Sequence, residues 1–328
     1  MKTLVENFSK QLAEAITIGQ SFKPQTSNLK PQTVLVTGLG GSGIGGTIVT
    51  EIVSSECPVP IVVNKDYFIP AFVNEKTLVI VSSYSGNTEE TIQAMEAALK
   101  AKAKIVCVTS GGKITEIAKQ NNCDLILIPS GFPPRAALAY SLTQLFFILK
   151  NFGLIKTDFE KQLRQAIALI DAEENNIRKE AMEVAEFLFN KLPVLYTSDG
   201  YNGVATRFRQ QLNENSKILC WHHILPEMNH NELVGWAGGN DEMAVIILRN
   251  KTDYTRTQAR IEFSKKVFAK HTSHICEIWS KGNSMLEKSI YLIHLTDWVS
   301  VFLAEKKGID AVEVNIITEL KNVLANSK

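Results

Sequence analysis

The chain has no cysteine pair at metal-binding or redox spacing, no excess of charge of one sign, and no apolar run long enough to cross a bilayer. Each absence removes a class of function. The five cysteines, Cys57, Cys107, Cys123, Cys220 and Cys276, are scattered singly. An odd count without a CxxC spacing argues against a disulfide framework and for a reducing, cytoplasmic setting. Lys and Arg total 35 and Asp and Glu 34, a formal charge of +1. No broad field is available to gather nucleic acid or to coat an anionic membrane, so any anion is held by local groups. The longest uncharged apolar stretch, 136–149, is too short to span and is broken by Ser141, Thr143 and Gln144. Segment 285–303 is broken by Glu287, Lys288, His294 and Asp297, and both stretches read as buried helices. The start, MKTLVENFSKQLAEA, lacks the continuous apolar core and small-residue cleavage site of a secretory signal. HExxH and HxxxH spacings are missing too, and the adjacent His222 and His223 would point to opposite sides of a strand. No metal is expected.

What is present is alternation. At 328 residues and 45 % apolar content, the chain has the length for about two domains. After a helical N-terminal arm come TVLVTG (33–38), IVVN (61–64), TLVIVSS (77–83), KIVCVTS (104–110) and DLILIP (124–129), with helical stretches between them. Ile92, Met95 and Leu99 share one helical face, and Pro133-Pro134 opens a long apolar helix. Five such units predict a doubly wound parallel sheet. Residues 151–191 are charged and helical in period, and read as a connecting arm. The pattern then restarts with PVLYTSD (193–199), KILCW (217–221), EMAVIIL (242–248) and HICEIW (274–279). Two α/β domains in tandem are expected, 1–151 and 152–328, the second a duplicate of the first.

Two loops stand out. The first strand runs into GLGGSGIGG (38–46), where glycines let backbone N–H groups approach a ligand at a helix N-terminus. Gly41 and Ser42 lie at its centre. The bland reading is a tight turn with no ligand; the sharper rival is a dinucleotide site, since Gly38, Gly40 and Gly43 satisfy GxGxxG. That fingerprint wants an acid ending the second strand, and here stands Asn64. The third strand runs into SSYSGNTEET (82–91), where Ser83, Ser85 and Thr88 supply hydroxyls. Such residues also cap helices. Two hydroxyl-rich loops at one sheet edge suit a phosphate monoester better than a pyrophosphate.

At these residues the chain resembles the sugar isomerase (SIS) domain family. PPRAALAYS (133–141), LNENSK (212–217), PEMNHNELVGW (226–236) and the ending VNIITELKNVL (314–324) narrow the resemblance to the bifunctional phosphoglucose/phosphomannose isomerases. The resemblance implies two SIS-type domains, a phosphosugar substrate and no cofactor. It implies catalytic roles for Glu214 as the base, His230 in ring opening, Arg135 beside the enediolate and Lys321 lining the pocket. It also implies a homodimer in which His230 reaches the neighbouring subunit's pocket. By local sequence alone Glu214 is a solvated helix end, His230 a surface or packing histidine, and Lys321 an exposed helix residue. Arg135 at a helix start is a poor place for a cation on dipole grounds, which calls for another reason. The second half has no SGNT equivalent, so one phosphate site per chain is expected. A phosphosugar-sensing regulator would keep the serine loops without a base, but it would ordinarily add a DNA-binding module that this chain lacks. An amidotransferase-type isomerase would need an N-terminal nucleophile domain. A nicotinamide-dependent dehydrogenase is the runner-up at the level of fold.

Overall fold

β-branched runs build the first sheet in the computed structural model, which describes residues 1–25 and 29–326. Strands β1 (Thr33–Thr37), β2 (Ile61–Asn64), β3 (Thr77–Ser82), β4 (Lys104–Thr109) and β5 (Asp124–Leu127) pair in parallel in the order β2-β1-β3-β4-β5. The order reverses between β1 and β3, and that crevice is where ligands bind in open α/β sheets. Both hydroxyl-rich loops leave the sheet there. Helices α1 (Lys2–Glu6), α2 (Phe8–Ser21), α3 (Gly40–Ile52), α4 (Glu89–Lys100), α5 (Gly112–Gln120) and α6 (Leu138–Asn151) belong to this half. The prolines open a short 3-10 turn, Pro134–Ala136, rather than α6 itself. A ring-locked φ and a missing N–H suit such an entry.

The second sheet repeats the first with one strand fewer. Strands β6 (Leu192–Ser198), β7 (Trp221–Leu225), β8 (Met243–Arg249) and β9 (Ile275–Trp279) pair in parallel in the order β7-β6-β8-β9. The strand expected at 217–221 is displaced to 221–225. Ser216 and Lys217 are used to end a helix, Lys217 with φ +52°, so the chain straightens only after them. The helices of this half are α7 (Phe159–Leu188), α8 (Asn202–Glu214), α9 (Glu232–Gly235), α10 (Thr255–Phe268), α11 (Met285–Lys307) and α12 (Asn315–Asn326).

The expected connecting arm is α7, a 30-residue helix capped by Asp158, and it is more than a connector. It buries Leu163, Ala166, Ile170, Ile177, Ala181 and Val184 at helical spacing, packed along α11. α11 is buried on all sides from Leu286 to Ala304, which explains an apolar segment too interrupted to be a membrane span. No helix of the described residues is long and apolar enough to cross a membrane. A single apolar core runs through α2, α3, α6, α7, α8 and α11 and joins the inner faces of both sheets.

Candidate active site

The two loops of the first sheet are bonded to each other. The Ser42 hydroxyl, in the first turn of α3, accepts from the backbone N–H of Tyr84 at 3.0 Å, and Ser82 Oγ donates to the Ser42 carbonyl at 3.3 Å. Ser83 Oγ donates to Thr88 Oγ1 at 3.2 Å. Ser85 is exposed at the turn, its hydroxyl accepting from Asn87 N at 3.3 Å. Thr88 is the N-cap of α4, yet its side chain makes no capping bond, and α3 also starts without one. Capping therefore does not account for these hydroxyls. Ser42, Ser83 and Thr88 instead line one edge where two helix N-termini meet.

Gly41 joins this edge to the rest of the site. A Cβ there would stand 2.8 Å from the Pro134 carbonyl and 3.0 Å from Arg135 Cα, so only glycine permits the 3-10 turn to pack on α3. The turn delivers Arg135, which is buried. Its Nε donates to Asn215 Oδ1 at 2.8 Å, and Nη2 donates to the carbonyls of Ala311 (2.7 Å) and Val312 (3.0 Å). Nη1 lies 3.5 Å from Glu214 Oε2. Burial lowers the Arg135 pKa, and the Glu214 carboxylate opposes that loss.

Glu214 ends α8, as expected, and α8 is fixed by groups that sequence reading missed. The Arg207 guanidinium meets Asp297 of α11 through Nη2–Oδ2 at 2.5 Å and Nε–Oδ1 at 3.1 Å, both residues buried. Gln211 donates to the same carboxylate at 3.0 Å, and Arg207 also donates to the Arg135 carbonyl at 3.0 Å. A buried pair so fully bonded fixes geometry more than it adds stability. Asn215 donates to Ser300 Oγ at 2.9 Å, and Ser216 donates to the Ser300 carbonyl at 2.7 Å. Lys217 donates to the Glu313 carbonyl at 2.6 Å, so Arg135 and Lys217 together hold the segment leading into α12. The available signal was Asp297 itself, an acid in a segment read as buried, which needed a cation.

His230 and Lys321 are not brought to Glu214. His230 ends the 3-10 turn Glu227–His230 and is exposed, and its side chain makes no bond among the described residues. Lys321 is exposed on α12. The loops of the second sheet are occupied internally: the Asp253 carboxylate accepts from Ser198 Oγ at 2.8 Å and from Asn250 N at 3.2 Å. At this edge of the second sheet the hydroxyl and N–H donors are thus taken by the chain's own acid. At the position where the dinucleotide fingerprint wants an acid, Asn64 is buried and donates to the Asp66 carbonyl at 2.9 Å.

His222 and His223 face opposite ways on β7, toward Thr206 and Glu232 respectively, and burial pushes His222 down to about 4. No cluster of three or more His, Cys, Asp or Glu side chains suited to a metal occurs among the described residues. A cavity of about 670 Å³, lined in part by Phe22, Lys23, Asn122 and Leu127, shares no residue with the loops above.

Residues 29–150 match the SIS domain, and residues 177–324 match the bacterial phospho-glucose isomerase C-terminal SIS domain. Among solved structures, the C-terminal domain of glucosamine-fructose-6-phosphate aminotransferase from Francisella tularensis aligns with a TM-score of 0.79 at 14 % identity, over 94 % of this chain and 97 % of that one. At that identity the likeness is one of fold. A bifunctional phosphoglucose/phosphomannose isomerase of Aquifex aeolicus is 35 % identical over 89 % of this chain and 90 % of its own. Its counterpart from Caldicellulosiruptor bescii is 37 % identical over 99 % of this chain and 98 % of its own. The two SIS domains in tandem and the whole-length identity agree: the chain belongs to the bifunctional phosphoglucose/phosphomannose isomerase family.

Proposed function

We propose that the protein interconverts glucose 6-phosphate and mannose 6-phosphate with fructose 6-phosphate, through an enediolate and without metal or nicotinamide. The observation that carries this reading is Arg135: its backbone packs on Gly41 of the phosphate loop while its guanidinium lies 3.5 Å from Glu214. Anion-binding loop, cation and carboxylate are thereby within one sugar's reach.

The dianionic phosphate binds the hydroxyls of Ser42, Ser83, Ser85 and Thr88 and the N–H groups opening α3 and α4. His230 and Lys321 exchange the proton that opens the ring. Glu214 then removes the proton from C2, leaving the electron pair in an enediolate over C1 and C2, and returns that proton to C1. Arg135 opposes the negative charge that develops on oxygen. The reading keeps 1–151 as the phosphate-binding domain and 152–328 as the domain supplying the base. It requires a homodimer, with each His230 serving its neighbour, and a cytoplasmic setting. The test is a coupled assay of each aldose phosphate and of fructose 6-phosphate, on protein purified in EDTA and with the reporter nicotinamide kept downstream. Turnover that survives chelation supports the reading. Loss of activity on chelation, restored by a metal, overturns the metal-free mechanism.

A further inference from the structure

His230 stands on loop 226–239, built of three helical turns of four residues or fewer: Glu227–His230, α9 and Trp236–Gly238. Turns that short have no cooperative helix to hold them. One carboxylate does so instead. Glu232 Oε1 accepts from Trp221 Nε1 at 3.1 Å and from the Tyr196 hydroxyl, and Oε2 accepts from His223 Nδ1 at 2.9 Å. The Tyr196 hydroxyl in turn accepts from Trp236 Nε1 at 2.9 Å. The carboxylate's donors come from β6 and β7, and Trp236 at the far end of the loop donates to the Tyr196 hydroxyl among them, so the network closes a ring between sheet and loop. Phe268 of α10 stacks on Tyr196 with centroids 5.1 Å apart and meets Trp236 at 4.6 Å, fixing both partners.

The residues flanking His230 are tied as well. Asn229 donates to Ser264 Oγ at 2.9 Å, and Asn231 spans Glu227 Oε1 (2.9 Å) and the Glu232 N–H (2.6 Å). Met228 is buried. The side chain left free in this anchored turn is His230 itself, directed outward. A turn that served only to pack would not need a carboxylate with three donors beside an imidazole without a partner. We propose that Glu232 is the positioning residue for His230, holding the loop in the orientation that ring opening requires. The proposal rests on the assignment of His230 to ring opening made above. Glu232 acts on the His230 of its own chain, whichever protomer's pocket that histidine enters.

The experiment is a double-mutant cycle on the full-length protein: Glu232→Gln, His230→Ala and the pair. Displacing a reacting group by about 1 Å costs on the order of 10²-fold, so Glu232→Gln should lower kcat by that order while KM stays within about twofold. Added to His230→Ala, Glu232→Gln should cost nothing more, because a residue acting through the imidazole has nothing to act on once it is gone. Tyr196→Phe, which keeps the ring stacking and removes the hydroxyl, should move kcat the same way and serves if Glu232→Gln does not fold. Glu232→Asp should restore part of the rate. Wild-type kcat in Glu232→Gln, with His230→Ala impaired, overturns the positioning role and leaves the His230 assignment standing. An equal further loss in the His230→Ala background makes Glu232 a general structural residue and overturns it too. Full activity in His230→Ala overturns the assignment and the positioning role together.

Discussion

At the scale of single residues the proposed mechanism places the chemistry on Glu214, with the Arg135 guanidinium 3.5 Å away. Glu214→Gln keeps the shape of the side chain but cannot accept the C2 proton. Turnover should fall by about 10²- to 10⁴-fold with little change in KM, measured by steady-state kinetics. Retention of kcat would remove Glu214 as the base. The hydroxyls are proposed to act differently, meeting the phosphate equally in the ground state and the transition state. Ser85→Ala and Thr88→Ala should each raise KM with kcat nearly unchanged. A hydrogen bond to a charged group is worth about 1.5–3 kcal/mol, which is roughly a ten- to 150-fold effect. A fall in kcat alone would mean that these residues shape the loop without touching phosphate. Arg135 is the residue least open to conservative change. Its fork engages Asn215, Ala311 and Val312 at once and still reaches Glu214, which the single ammonium of a lysine cannot reproduce.

Two helices join the halves of the proposed site at the scale of elements, because α3 begins in the glycine-rich loop and α8 ends in Glu214. They cross at Gly203, where an added Cβ would stand 2.7 Å from Ile48 Cγ1 and 3.0 Å from Ile48 N. Gly203→Ala should push the helices apart and cost about 1–3 kcal/mol, seen as a lower melting temperature with reduced kcat. Beside it, both Glu51 oxygens accept from Gly203 N at 3.0–3.1 Å. Burial, aided by Asp199 and opposed by that bond and by Lys65, raises Glu51 to about 7. The folded chain thus holds this proton more tightly than the unfolded chain does. The stability Glu51 contributes is full at low pH and is lost as pH rises from 4.5 through 7. Glu51→Gln, neutral throughout, should gain on wild type between pH 5 and pH 8 by at most about 3 kcal/mol, read from unfolding curves at each pH. A difference that does not change with pH would contradict the burial argument. Both loops and most strands were legible before the structure, because glycine, hydroxyl and β-branched residues act through local geometry. The strand at 221–225 was missed because KILCW is apolar whether or not it pairs, and β6 is available only after Lys217 has turned the chain. The apolar positions of α7 were visible, but its role was hidden, since its partners on α11 are remote in the chain, His294 lying 120 residues from Glu174. The contact of Gly41 with Arg135 is long-range and left no local trace, and Asp297 signalled only that a buried acid needs a cation, not that Arg207 supplies it.

At the scale of the whole molecule, a single copy leaves His230 exposed, and α12 too, with Ile316 81 % and Leu320 57 % accessible on the helix that bears Lys321. Apolar residues so placed suit burial against a second copy. In solution the 36.4-kDa chain should therefore run at twice its mass in light scattering. Mixing inactive Glu214→Gln with inactive His230→Ala under subunit exchange should return up to about a quarter of full activity, because half the dimers are mixed and half their pockets intact. No recovery, with exchange confirmed by mass, would mean that His230 serves its own chain or has no catalytic role. The central claim, that Glu214 shuttles a proton between C2 and C1, is reached most directly by following hydrogen. Incubation of fructose 6-phosphate in D₂O with wild-type protein should carry solvent deuterium into C1 of the ketose and C2 of the aldose phosphates, and Glu214→Gln should abolish that incorporation. Undiminished deuterium incorporation by the Glu214→Gln protein would contradict it.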